Sequence, residues 1–202
     1  NNLIELTIIK SILNPENISP ISKLTNLRKL NLENIFIRDI SPISKLTKLR
    51  SLYLNSDKIQ DISPLSKLTN LKTLVLQYYL IPFASRENRL QDISPLSNLT
   101  NLTYLDLVRN QITDISPLSE LTNLTYLDLA DNEIRDLSTL ERLTSLMSLN
   151  LSYNRIEDIS ALKGLINLEK LYLKDSQIKD ISPLSGLINL TELYLKGNEI
   201  EE

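Results

Sequence analysis

The sequence predicts an α/β solenoid: a right-handed curved coil of about nine short parallel strands on the concave face, with turns and short 3-10 or α helices on the convex face. Three observations predict it. The apolar content is skewed, with 44 Leu and 24 Ile against three Ala, two Val and three Gly in 202 residues. That is too little Gly and Val for glycine-rich phosphate loops or for the Val-rich strands of a doubly wound sheet. The text also repeats. From residue 99 it reads LTNLTYLDLVRNQITDISPLSE, then LTNLTYLDLADNEIRDLSTLER, LTSLMSLNLSYNRIEDISALKG and LINLEKLYLKDSQIKDISPLSG, each 22 residues long. Within each copy an apolar–polar–apolar triplet alternates with the period of a strand.

Taking the first Leu of each LxxLxLxxN segment gives Leu3, Leu27, Leu49, Leu71, Leu102, Leu124, Leu146, Leu168 and Leu190. The spacing is 22 except from Leu3 to Leu27, where it is 24, and from Leu71 to Leu102, where it is 31. The expected layout is one domain over 1–202: an irregular first repeat at 3–26, regular repeats at 27–70, a repeat with a nine-residue insertion at 71–101, regular repeats at 102–189 and a truncated last repeat at 190–202. Each repeat supplies one strand, in which Leu105 and Leu107 face inward and Asp106 outward. Thr113–Leu118 then forms a tight convex turn, with Ser116 expected as N-cap and Pro117 at the first helical position, where its missing donor costs nothing. One repeat cannot bury its own leucines, so neighbours must stack.

Two polar columns belong to this scaffold. Asn88, Asn110, Asn132, Asn154 and Asn198 recur three residues after the last strand leucine, where the amide is expected to bond buried backbone between repeats. Ser11, Ile35, Asp57 and Ser176 replace it, so those turns are expected to be looser or differently bonded. Asp39, Asp61, Asp92, Asp114, Asp136, Asp158 and Asp180 recur once per repeat, without the dense Asp and Gly spacing of calcium loops, and read as turn caps.

The composition also excludes chemistry. With no His and no Cys, the Ser-His-Asp and Cys-His arrangements, disulfides and imidazole or thiolate metal sites are all removed, and no cofactor is expected. A net charge of −3 gives no reason to expect nucleic acid. No apolar run approaches the roughly 20 residues of a spanning helix. The chain opens on Asn1 and reads as a mature product or an excised segment.

The unit NQITDISPLSELTNLTYLDL resembles the 22-residue leucine-rich repeats of the bacterial internalin family, over nearly the whole chain. The resemblance implies a noncatalytic protein-recognition module, secreted or on the bacterial cell surface, that grips a partner protein with its concave face; a host or surface protein is the partner class implied. Similar units occur in intracellular regulatory proteins, such as Roco-like GTPases and phosphatase regulators. A cytoplasmic regulatory domain is therefore the alternative.

Function must come from residues the scaffold does not need. Along the outward positions, the second residue after each first Leu runs Glu5, Lys29, Ser51, Thr73, Tyr104, Tyr126, Ser148, Lys170 and Glu192. The fourth runs Thr7, Asn31, Tyr53, Val75, Asp106, Asp128, Asn150, Tyr172 and Tyr194. Five of the eight tyrosines fall in these columns, with Tyr153 at their border. Tyr is enriched among binding hot spots, so the expected partner-binding set is Tyr53, Val75, Tyr104, Asp106, Tyr126, Asp128, Tyr153, Tyr172, Lys174, Tyr194 and Lys196. The competing reading is a cross-strand aromatic ladder that only packs. Asp106, Asp128 and Asp131 are expected to make the middle of the face acidic, and Lys170, Lys174 and Lys196 its C-terminal end basic. Tyr78, Tyr79 and Phe83 in the insertion are a second candidate surface, weighed against folding down over a neighbouring turn. Paired carboxylates at Asp106 and Asp128 are the one catalytic possibility, opposed by the lack of a water-excluding pocket on an open curve.

Overall fold

The computed structural model describes residues 2–9, 18–33, 37–55, 59–77 and 89–201. Nine strands form one parallel sheet in strict sequence order. They are β1 (Glu5–Ile9), β2 (Lys29–Glu33), β3 (Ser51–Asn55), β4 (Thr73–Val75), β5 (Tyr104–Asp106), β6 (Tyr126–Asp128), β7 (Ser148–Asn150), β8 (Lys170–Tyr172) and β9 (Glu192–Tyr194). Parallel neighbours need a crossover. Here it is a 3-10 turn rather than an α-helix, and the described residues contain eight of these, each three to five residues long.

The turn has a simple cause. In Asp114-Ile115-Ser116-Pro117-Leu118 the Ser116 amide donates to Asp114 Oδ1 at 2.8 Å, and the Leu118 amide donates to the Ile115 carbonyl at 2.9 Å. Asp39, Asp61, Asp92, Asp136, Asp158 and Asp180 each accept the amide two residues on, at 2.7–2.8 Å. The aspartate column caps turns as expected, but Ser116 is not the cap: no side chain of the flanking residue bonds the turn, and the carboxylate two residues earlier satisfies the first amide. Proline is dispensable, since Ser138–Arg142 and Ser160–Leu162 adopt the same turn without it.

Every repeat stacks its leucines and isoleucines into one continuous core, from Ile18 to Leu187, with most members fully buried. Strand leucines such as Leu105, Leu127, Leu149 and Leu171 pair in register across the sheet. The asparagine column closes the other end of β5, β6, β7 and β9. Asn132 donates through Nδ2 to the Leu107 and Leu129 carbonyls, both at 3.0 Å, and its Oδ1 accepts the Ile112 amide at 3.0 Å. Asn110, Asn154 and Asn198 donate in the same way. Ser176 does not, and its buried hydroxyl has no hydrogen bond.

Strand length changes along the sheet: β1–β3 are five residues long and β4–β9 three. The turns holding Ser11, Ile35, Asp57 and Asn88 lie outside the described residues.

Candidate functional site

In the described turns, the residue before the asparagine column takes a left-handed conformation, with φ between 50° and 61° at Arg109, Asp131, Tyr153 and Asp175 and 81° at Gly197. The chain therefore reverses soon after each of the strands β5 to β9, and the outward strand positions line up across the sheet. Register reproduces both columns: Tyr104 pairs with Tyr126, Asp106 with Asp128, Lys170 with Glu192 and Tyr172 with Tyr194.

Four tyrosines form two stacks. The rings of Tyr104 and Tyr126 lie parallel, with centroids 4.1 Å apart, and those of Tyr172 and Tyr194 lie 5.0 Å apart at 15°. Between the stacks β7 offers only the small polar Ser148 and Asn150. Tyr53 is half-buried on β3, and Tyr194 is 52% exposed. Tyr153 is not on a strand: it stands in a left-handed turn, 47% exposed, with Lys174 Nζ 5.0 Å from its ring centroid and hydrogen-bonded to its hydroxyl.

The charged residues depart from the outward reading. Asp106, Asp128 and Val75 are buried, at 3%, 9% and 7% exposure. Asp106 accepts the Val108 amide at 3.1 Å and the Gln77 side-chain amide. Asp128 accepts the Ala130 amide at 3.0 Å, the Asn150 side-chain amide at 3.1 Å and the Tyr126 hydroxyl at 3.3 Å. Each carboxylate closes its own strand end, and Asn150 does the same for Ser152 at 3.1 Å. Burial pushes the Asp106 carboxyl up to about 6, and burial raises Asp128 as well. Burial also raises the Tyr104 and Tyr126 hydroxyls above the usual phenol range.

Asp131 is bridged by Arg109 at 3.7 Å, so the middle of the face is not an open acidic surface. Nor is the C-terminal end simply basic. Lys170 pairs with Glu192 at 2.6 Å and Lys174 with Asp175 at 3.5 Å, while exposed Lys196 has no ion pair among the described residues. Glu192 also accepts the Tyr172 hydroxyl at 2.6 Å. Its hydrogen bonds from Lys170 and Tyr172 hold its carboxyl low, and the same bonds raise the lysine and the phenol.

Glu192, Gln77 and Asn150 were absent from the sequence-derived set, although each organises part of the face. The 22-residue offset from Lys170 to Glu192 is a signal that finds the first, because residues one period apart are cross-strand neighbours. Tyr78, Tyr79 and Phe83 lie outside the described residues. No group of three or more acidic side chains able to hold a metal ion occurs among the described residues, and none of their helices is long and apolar enough to cross a membrane.

Comparison with known proteins gives the arrangement a lineage. The family model for a leucine-rich repeat region matches residues 48–202, and one for two copies of leucine-rich repeats matches 25–67. A search of curated proteins returned no match. Among solved structures, an internalin C2 from Listeria monocytogenes superposes with a TM-score of 0.85 at 37% identity, over 95% of this chain and 80% of that one. An internalin (inlF) from the same organism gives 0.79 at 36% identity, over 99% of this chain and 62% of that one. A plant peptide hormone receptor, RGFR1 in complex with RGF2, shares the fold at 22% identity and a TM-score of 0.72, over 92% of this chain and 34% of that one. Repeat period, sheet and relatives agree: the chain belongs to the internalin-type leucine-rich repeat proteins.

Proposed function

We propose that the chain is one leucine-rich repeat domain over 1–202 that binds a partner protein on its concave face, without catalysis, as a secreted or cell-surface protein of a bacterium. The observation that carries the reading is the pair of tyrosine stacks on strand positions outside the leucine core, Tyr104–Tyr126 and Tyr172–Tyr194. Stacked phenols present rigid apolar area with polar tips, which suits a hot spot. The contact set is Tyr53, Tyr104, Tyr126, Tyr153, Tyr172, Tyr194, Lys174 and Lys196, with Glu192 orienting Lys170 and Tyr172. Asp106 and Asp128 support their strand ends, and buried Val75 lies with them behind the exposed contact set.

The noncatalytic part of the reading rests on the two buried carboxylates, since each is committed to a backbone amide within its own strand end. The localisation rests on the listerial relatives.

The test is retention from a host-cell extract by immobilised wild type, by the Tyr172→Ala/Tyr194→Ala double variant, and by a convex-face control, Ser138→Ala. A partner held by wild type and control but released about 30-fold or more by the double variant supports the reading, as expected where a hot spot costs about 2 kcal/mol or more. Equal retention by all three overturns it.

A further inference from the structure

The first three repeats carry a charge pattern that the concave face does not use. The segments 19–28, 41–50 and 63–72 are equivalent stretches running from the 3-10 turn to the start of the next strand. Together they hold seven cations, Lys23, Arg28, Lys45, Lys48, Arg50, Lys67 and Lys72, and no Asp or Glu. The equivalent stretch 94–103 holds no charged residue, and 116–125 holds only Glu120. Later copies mix signs, as in Glu141 with Arg142 and Lys163 with Glu169. The excess is therefore confined to one end of a chain whose net charge is −3.

Register turns this pattern into a surface. Strand pairing places residues 29, 51 and 73 side by side, so Arg28, Arg50 and Lys72, each one residue earlier, form one row along the sheet edge. Lys23, Lys45 and Lys67 end successive 3-10 turns and form a second row. All seven cations are exposed, and none has an ion pair among the described residues. Lys48 stands between the rows, with its Nζ donating to Asn26 Oδ1 at 2.8 Å. Asn70 ties the same edge together by donating to the Thr47 carbonyl at 2.9 Å. Thr25, Thr47 and Thr69 are exposed beside Asn26 and Asn70, so the ground between the rows is polar, and Pro20 is the one apolar residue exposed in the three segments.

We propose that this lateral edge is a docking surface for an anionic lipid membrane, held at headgroup level by electrostatics. A protein epitope is a poorer match, because protein interfaces are depleted in Lys and built around aromatic or apolar cores, and this edge has neither. Two rows of three cations form a two-dimensional array, which suits a charged plane better than a single thread. Each basic side chain near an anionic leaflet contributes about 1 kcal/mol within a Debye length, so seven suffice for peripheral attachment without an inserted apolar group.

The experiment is co-sedimentation with vesicles of phosphatidylglycerol and phosphatidylcholine at a ratio of about 3:7, and with phosphatidylcholine alone, at low salt and in about 0.5 M NaCl. Binding is expected only to the anionic vesicles and only at low salt. The Lys45→Gln/Lys48→Gln/Arg50→Gln variant is expected to lose about 100-fold in vesicle affinity with an unchanged thermal midpoint. The control Arg135→Gln/Lys163→Gln/Lys179→Gln removes the same charge elsewhere and is expected to bind like wild type. The proposal is overturned by no binding to anionic vesicles at low salt, by equal loss in the control variant, or by capture of soluble polyphosphate without vesicle binding.

Discussion

Replacing Ser176 by Asn tests the account of what holds the repeats together. The backbone there already matches its neighbours: Asp175 has φ 50°, its amide donates to the Lys196 carbonyl at 2.8 Å, and the Gln177 amide donates to the Ile156 carbonyl at 2.9 Å. Only the side chain differs, and the Ser176 hydroxyl is buried without a partner. In Ser176→Asn the new amide reaches the Leu151 and Leu173 carbonyls, and its oxygen meets the Ile156 amide, as Asn154 does for Leu129, Leu151 and Ile134 at 2.9–3.0 Å. Three hydrogen bonds at about 1 kcal/mol each, less about 1 kcal/mol of side-chain ordering, give a net gain of about 1–3 kcal/mol. For a chain of this size that raises the thermal midpoint by about 2–10 °C. The converse, Asn154→Ser, loses a similar amount. Urea unfolding with constant slope measures the first quantity, and amide exchange at Ile156 localises it. An unchanged or lower midpoint for Ser176→Asn, or no added protection at Ile156, refutes the claim that the asparagine ladder is worth its hydrogen bonds.

Two further outcomes follow from the core and from the buried carboxylates. Leu127 is fully buried in β6, so Leu127→Ala opens a cavity and lowers unfolding free energy by about 2–5 kcal/mol, read by urea midpoint. Asp106 titrates at about 6 when folded, above the ordinary carboxylate value, so the folded state binds its proton more tightly and stability falls as pH rises from about 4 to about 6. Asp106→Asn keeps an oxygen for the Val108 amide and removes this loss, so between pH 4 and pH 7 the variant gains about 2–3 kcal/mol on wild type; parallel stability curves count against the assignment. On the acid side the exposed turn caps Asp39, Asp61, Asp92, Asp136 and Asp180 act oppositely: amide hydrogen bonds hold their carboxyls low, and that stability is lost as pH drops below about 4.

How much of this was legible in the sequence depends on whether a residue answers to one repeat or to several. The strand leucines, the register of Tyr104 on Tyr126 and of Tyr172 on Tyr194, and the bonding of Asn132 all follow from a constant period of 22, because equal spacing forces equal environments. The burial of Asp106 and Asp128 was not legible. Alternation sends their Cα–Cβ bonds toward the concave side, but each side chain bends back to an amide two residues on, and Gln77, Tyr126 and Asn150 close over them. Cross-repeat partners also decide the charge of the C-terminal end, where Glu192 neutralises Lys170. Ser116 was misassigned as a cap because Ser and Asp carry similar cap preferences, and the choice between them is made by turn geometry.

The left-handed turn residues carry a consequence for how this surface diversifies. Arg109, Asp131, Tyr153 and Asp175 occupy one backbone state with three kinds of side chain, so the bend dictates conformation and leaves chemistry open. A non-glycine residue in that state costs roughly 1 kcal/mol, a toll the surrounding ladder absorbs whichever letter is written there. The rim is thus a row of interchangeable sockets at which mutation can reword the protein's contacts without touching its frame. Gly197 is the exception in this row: a Cβ there would lie 2.2 Å from Asp175 Oδ1, and a larger residue would have to evict its neighbour first.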